Sequence, residues 1–110
     1  MAHYLVQLAY TPEAWAAQLK NPQNRIEVVR PAFEKAGARF EAAYLAFGKY
    51  DLVFIMEAPD NVTAAAISLA ATAGGAVKAY ETTPLMTPEE GIEAMRKGAE
   101  VAAVYRPPTQ

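Results

Sequence analysis

Residues 39–58, RFEAAYLAFGKYDLVFIMEA, decide the fold of this chain. Two runs rich in β-forming residues, 39–47 and 50–58, are separated only by Gly48 and Lys49. A two-residue connection that begins with glycine is typical of a type II′ turn, in which glycine supplies the positive φ of the first central position. The stretch therefore predicts an antiparallel hairpin, with Gly48 at positive φ and Lys49 exposed.

Capping and breaking signals place helices on both sides of this hairpin. Thr11-Pro12 and Thr87-Pro88-Glu89-Glu90 are typical helix starts, with a threonine cap followed by proline at the first helical position. Pro31 should bend the helix that contains it, and Gly37 should end that helix. The patterns predict, in chain order, a strand over 3–10, helices over 11–20 and 24–37, the two hairpin strands, a helix over 61–73, a strand over 76–86 and a helix from Thr87.

The resulting order, β-α-β-β-α-β followed by a C-terminal helix, predicts an α+β fold of the ferredoxin-like type. Residues 1–110 form a single domain with a four-stranded antiparallel sheet and helices on one face. The segment LVFIM at 52–56 is apolar in both phases of the strand, which is typical of a strand covered on both sides. A second copy of the chain is therefore expected to cover the other face, as a homodimer or a higher homo-oligomer.

Composition excludes several classes of function. The net charge is −2, the pI is near 5.4 and the basic residues are dispersed, which argues against a nucleic-acid or membrane-surface partner. The chain has no cysteine, one histidine and no dinucleotide-binding fingerprint, so neither a metal nor another cofactor is predicted. With no signal-peptide pattern and no apolar run of membrane length, we expect a cytoplasmic protein.

The hairpin also suggests a ligand pocket. A two-residue turn fixes the register, with these pairs facing each other: Ala46 and Asp51, Tyr44 and Val53, Phe40 and Glu57. Tyr44 and Asp51 then become diagonal neighbours on one sheet face, close enough for a hydrogen bond. The small alanine side chains beside them leave space, so the face predicts a small pocket edged by Tyr44 and Asp51.

Other polar residues are candidates for the same site. His3 has the only side chain whose ordinary pKa lies near neutrality, so His3 and Asp51 are the candidate catalytic bases. An ordinary strand-end histidine and a carboxylate bonded to a backbone amide are the structural alternatives. Tyr44, Asp51, Tyr50 and Tyr80 are the candidate ligand-binding residues. The wider set of polar candidates is Tyr4, Gln7, Tyr10, Trp15, Glu81 and Thr82, among which Trp15 is better explained as a core or interface anchor.

The element around Gly48, Tyr50 and Asp51 resembles the GYD domain family. It follows FEAAYLAF and precedes an apolar strand closing with Glu57-Ala58-Pro59-Asp60. The segments YLVQLAYTPE, RIE and TPEE are also similar, so the resemblance covers nearly the whole chain. It implies a dimeric α+β barrel, a superfamily that contains cofactor-free monooxygenases, isomerases, cyclases and haem-handling enzymes as well as ligand-binding modules. It implies no particular reaction, and Lys49 stands where the family often has an acidic residue.

Three functions follow from these observations. The first is a homo-oligomeric binder of a small apolar or aromatic molecule. The second is a cofactor-free enzyme, of the monooxygenase, isomerase or cyclase type, in which His3 or Asp51 acts as the base. The third is a structural or regulatory oligomerisation module that needs no pocket. The single histidine and the lack of an evident nucleophile favour the binder.

Overall fold

This computed structural model describes residues 1–109. Its fold is built around a four-stranded antiparallel sheet. The elements in chain order are β1 (Ala2–Tyr10), α1 (Pro12–Lys20), α2 (Arg25–Lys35), β2 (Arg39–Leu45), β3 (Leu52–Ala58), α3 (Asn61–Ala73), β4 (Val77–Leu85) and α4 (Pro88–Ala102). The strands lie in the order β2-β3-β1-β4, and each neighbouring pair is antiparallel. This order confirms the predicted α+β, ferredoxin-like fold.

Each helix begins at a side chain that accepts a hydrogen bond from its first turn, namely Thr11, Asn24, Asp60 or Thr87. At α4 the predicted capping box is complete. The Glu90 amide donates to Thr87 Oγ1 at 3.1 Å, and the Thr87 amide donates to Glu90 Oε1 at 3.0 Å. At the end of α2, Gly37 has a φ of 85°, which confirms it as the helix stop.

The core lies between one face of the sheet and helices α2 and α3. Side chains alternate along β1 and β3, so that every second residue of each strand points to the helices and is buried. Phe33 of α2 and Ile67 of α3 pack against this layer. The alternation ends beside the irregularity between Ala9 and Tyr10, where both residues are buried. The buried strand residues are Tyr4, Val6, Leu8, Ala9, Tyr10, Leu52, Phe54, Met56 and Ala58.

The connection between β2 and β3 is longer than predicted. The Ala46 amide donates to the Asp51 carbonyl at 2.8 Å, so residues 47–50 form a four-residue loop. Among residues 1–109 only Gly37 and Gly75 have positive φ, and the predicted type II′ turn with Gly48 at positive φ is therefore wrong. Four residues can reverse the chain without a left-handed residue at position 48, whereas a two-residue hairpin loop needs one.

The predicted register holds near the loop and fails farther along β2. Tyr44 pairs with Val53 as expected, but the register shifts between Phe40 and Ala42, so Phe40 faces Met56 and not Glu57. The bulge turns the Phe40 ring to the helix side, where it stacks on Phe33 with 4.5 Å between ring centroids. Burial of this ring against the core accounts for the shift.

The second face of the sheet is not buried by residues 1–109. We call it the open face and define it by Leu5, Gln7, Tyr44, Val53 and Ile55, none of which is fully buried. Helix α4 does not cover it, because almost every residue of α4 is itself exposed. The molecule is elongated, with extents of 58 × 32 × 22 Å.

Candidate functional site

Asp51 anchors the hairpin loop to the end of β1. Its Oδ2 atom accepts a hydrogen bond from the Tyr10 amide at 2.9 Å and another from Trp15 Nε1 at 3.2 Å. The Asp51 amide donates to the Leu8 carbonyl at 2.8 Å. Asp51 satisfies the Tyr10 amide where a bulge interrupts the pairing of β1 with β4, which makes it a structural acceptor of the kind that buried amides require.

Asp51 makes these contacts and not the predicted hydrogen bond to Tyr44. The Asp51 carboxylate is directed to the end of β1 and to Trp15, which packs against the core. Tyr44 lies on the open face and is 71% exposed. It borders a surface cavity of about 380 Å³ whose lining does not include Asp51. The ligand-binding roles assigned to Tyr44 and Asp51 stay predictions, but the two residues do not form one site.

A cavity of about 310 Å³ lies between the helix-facing side of the sheet and helices α2 and α3. We call it the central cavity. Its walls are mainly apolar, with Leu8, Phe33 and Phe54 from the core and alanines of α3. Its polar members are Tyr10, Arg25 and Tyr80, and its lining contains no carboxylate and no histidine. Of the predicted ligand-binding residues, only Tyr80 lines the central cavity.

The Tyr80 hydroxyl is buried and lacks a hydrogen-bond partner among residues 1–109. Burial raises the pKa of Tyr80 to about 12, because an apolar environment disfavours the phenolate. The phenol is therefore neutral at physiological pH and presents one O–H donor to its surroundings. A buried hydroxyl without a partner is uncommon in proteins and calls for an explanation such as a ligand.

Tyr10 and Arg25 form the polar side of the central cavity. Burial raises the pKa of Tyr10, and the adjacent guanidinium of Arg25 partly opposes that rise. Arg25 is the first residue of α2 and is only partly exposed. Within the described part of the chain its guanidinium forms no ion pair with a carboxylate. The cavity thus combines an apolar interior with one uncompensated positive charge.

Tyr50 contributes to a different surface. Its hydroxyl donates a hydrogen bond to Glu81 of β4, and this bond raises the pKa of Tyr50. Glu81 faces Gln7 of β1, so the contact lies on the open-face side of the sheet. Tyr50 does not belong to the lining of the central cavity, and its predicted role in ligand binding stays untested.

His3 belongs to a charged cluster at the opposite end of β1 from Asp51. Its Nδ1 atom contacts Glu41 and lies 3.9 Å from Glu57, which pairs with Arg39. One ligand atom from each of His3, Glu41 and Glu57 lies within 4.8 Å of the others, so these residues could hold a cation, although Arg39 already neutralises Glu57. Tyr10 lies seven positions along β1 from His3, or roughly 23 Å at 3.3 Å per residue. His3 and Asp51 therefore do not share a site.

These features define a class of protein, a ferredoxin-like α+β domain with an apolar cavity between its sheet and its helices. The family model described as the GYD domain matches residues 4–95 of the chain's 110, from β1 into α4. The chain belongs to the GYD domain family, which confirms the resemblance found in its sequence. No curated protein and no solved structure is similar enough to count as a match. No helix within residues 1–109 is long and apolar enough to cross a membrane.

Sequence reasoning did not identify Arg25 as a site residue, although a signal was present. Cations are disfavoured in the first turn of a helix by the helix dipole. Residues three and four positions away from Arg25 could have compensated it, but Pro22, Val28, Asn21 and Val29 carry no charge. An uncompensated arginine at a helix start was the pattern that pointed to this site.

Proposed function

We propose that this protein is a homo-oligomeric binder of a small apolar or aromatic molecule, which it holds in the central cavity. The observation that carries the proposal is the buried Tyr80 hydroxyl, which has no partner among residues 1–109 and belongs to the wall of a mainly apolar cavity. Leaving such a group unpaired costs about 1–3 kcal/mol. A ligand with a hydrogen-bond acceptor would recover that free energy while its apolar part fills the cavity.

The protonation states of the two tyrosines in the central cavity favour ligand binding over proton-transfer catalysis. Both phenols have raised pKa values, so each is a hydrogen-bond donor at neutral pH and not a base. The two bases expected from the sequence lie elsewhere, since Asp51 accepts hydrogen bonds from Tyr10 and Trp15, and His3 is paired with Glu41. A cofactor-free enzyme would need a base beside its substrate. The lining of the central cavity contains hydrogen-bond donors and a cation, but no carboxylate and no histidine that could act as this base.

The homo-oligomeric part of the proposal is supported by the surfaces that one chain leaves uncovered. Leu5, Val53 and Ile55 lie side by side on the open face, and none of them is fully buried. A second sheet stacked on this face would cover them, as in the barrel that the family resemblance implies. Absence of cysteine suits the reducing cytoplasm, where we place this function.

The test is a titration of the protein with indole and with phenol, followed in ¹H–¹⁵N NMR spectra. We expect shift changes to concentrate at Leu8, Phe33 and Tyr80 and to saturate. A Tyr80→Phe variant should bind phenol more weakly, because the donor is lost. Tyr105→Phe is the matched control, since Tyr105 is 59% exposed beyond the end of α4 and should bind both probes like the wild type. Shifts confined to the open face or to α4 would refute the proposal.

A further inference from the structure

We propose that the ligand of the central cavity is a small aromatic carboxylic acid, whose carboxylate is bound by Arg25 and whose ring occupies the apolar interior. This inference rests on the proposed function and assigns a ligand class to the same cavity. Arg25, Tyr10 and Tyr80 are its polar contacts, and Leu8, Phe33 and Phe54 are its apolar ones.

Arg25 stands where the interior of the protein meets the solvent. Its side chain lines the central cavity and also two adjoining surface cavities of about 310 and 380 Å³. The surface cavities are bordered by the neutral amides of Gln18 and Gln23. A ligand that enters from this side therefore meets the guanidinium before its apolar part reaches the core.

The charge of Arg25 is uncompensated in a protein whose other arginines are mostly paired. Arg30, Arg39 and Arg96 each form an ion pair with a glutamate. Within residues 1–109 Arg25 has no such partner, and the polar residues near it are amides and the Tyr10 hydroxyl. An anion bound there would also offset the unfavourable placement of a cation at the start of α2.

The size and chemistry of the cavity narrow the anion to a carboxylate on a small ring. A volume of about 310 Å³ lies at the lower end of the range for small-molecule sites, which suits one or two rings and not a nucleotide. A single guanidinium matches the single charge and the planar fork of a carboxylate, which it can bind through two parallel hydrogen bonds. Tyr80, whose buried hydroxyl belongs to the cavity wall, can donate to an acceptor on the ring.

The experiment compares an acid with its neutral analogue. Calorimetric titrations with phenylacetate and with 2-phenylethanol at pH 7 should give the acid an affinity advantage of roughly ten-fold or more, as expected for a charge-assisted hydrogen bond. Arg25→Gln should remove that advantage, because it should lower the affinity for phenylacetate by roughly ten-fold more than the affinity for 2-phenylethanol. Arg25→Lys should retain part of the advantage. Arg96→Gln is the control, because Arg96 lies on α4 away from the cavity and its removal should leave both affinities unchanged.

Each failure has a distinct meaning. Equal binding of the two compounds by the wild type would overturn the carboxylate assignment and leave the proposed function standing. Tighter binding of phenyl phosphate than of phenylacetate would also overturn it, in favour of a phosphate ligand. If neither phenylacetate nor 2-phenylethanol binds, and indole and phenol also fail to bind, the proposed function fails with the inference. The comparison on the wild type alone decides the matter if a variant does not fold.

Discussion

At the scale of single residues, we expect the Tyr80 hydroxyl to lower the stability of the ligand-free protein and to strengthen the binding of a ligand. Because this buried hydroxyl has no partner in the described part of the chain, Tyr80→Phe should stabilise the ligand-free protein by about 1 kcal/mol. Urea denaturation at pH 7 measures this change. The same variant should bind phenol less tightly, so stability and affinity move in opposite directions. A loss of stability on substitution would indicate that the hydroxyl already has a partner in solution.

The ionisation of Tyr80 gives the protein a specific sensitivity to alkali. Its pKa is raised from 10.0 to about 12 in the folded state, so folding favours the protonated phenol. The stability linked to this group is fully present below pH 10 and is lost as the pH rises from 10 to about 12, at no more than about 1.4 kcal/mol per pH unit. Urea midpoints measured between pH 9 and 11.5 should therefore fall more steeply for the wild type than for Tyr80→Phe. Parallel curves would contradict the assignment.

Asp51 has a structural role, because its carboxylate accepts hydrogen bonds that anchor the hairpin loop. Asp51→Ala would remove the acceptor of the Tyr10 amide and of Trp15 Nε1, and we expect it to destabilise the fold by about 2 kcal/mol. Asp51→Asn keeps one side-chain oxygen and should cost less. Glu89→Ala, at an exposed position of α4, is the surface control and should change stability by less than about 0.5 kcal/mol. Equal denaturation midpoints for Asp51→Ala and Glu89→Ala would exclude the anchor role.

At the scale of elements, the two glycines at 37 and 48 should respond differently to alanine. Gly37 has a φ of 85°, and an added Cβ would lie 3.3 Å from Cγ of Pro59. Gly37→Ala should therefore destabilise by about 1 kcal/mol or more. At Gly48 φ is not positive and an added Cβ meets no atom within 4 Å, so Gly48→Ala should change stability by less than about 0.5 kcal/mol. Thermal denaturation compares the two, and a larger loss at Gly48 would reinstate the tight turn.

The same elements separate what sequence could predict from what it could not. Element order, helix starts and the stop at Gly37 depend on local patterns, and they were predicted correctly. The loop at 47–50 and the bulge after Phe40 depend on distant partners, because Asp51 is held by β1 and α1 and Phe40 by Phe33. The residues of the candidate site divide in the same way, into those with a local signal and those placed by distant partners. Tyr80 was a candidate from its polarity alone. Arg25 carried one local signal, an uncompensated cation at a helix start, but its place beside Tyr10 depends on the fold.

At the scale of the whole molecule, we expect a dimer that forms through the open face. Ile55 lies at its centre, and Ile55→Lys would place a charge in an apolar contact, where burying it is costly. Sedimentation should give the wild type twice the 11.9 kDa mass of the chain at micromolar concentration, and the variant a single chain mass. Val62→Lys is the control on α3, where Val62 is 78% exposed, and it should remain a dimer. A monomeric wild type would end this model of the assembly.

Helix α4 should add to the same assembly, because residues 1–109 leave its apolar side exposed. Ile92 and Met95 lie one turn apart and are 49% and 73% exposed. Burial of two such side chains in a second subunit would contribute about 1.5 kcal/mol or more each. Ile92→Glu combined with Met95→Glu should therefore weaken the dimer by at least ten-fold, measured by sedimentation across a dilution series. Lys97→Glu, an exposed charge reversal on the same helix, is the control. If the double variant dimerises like the wild type, the open face alone joins the subunits and the apolar side of α4 has a different role.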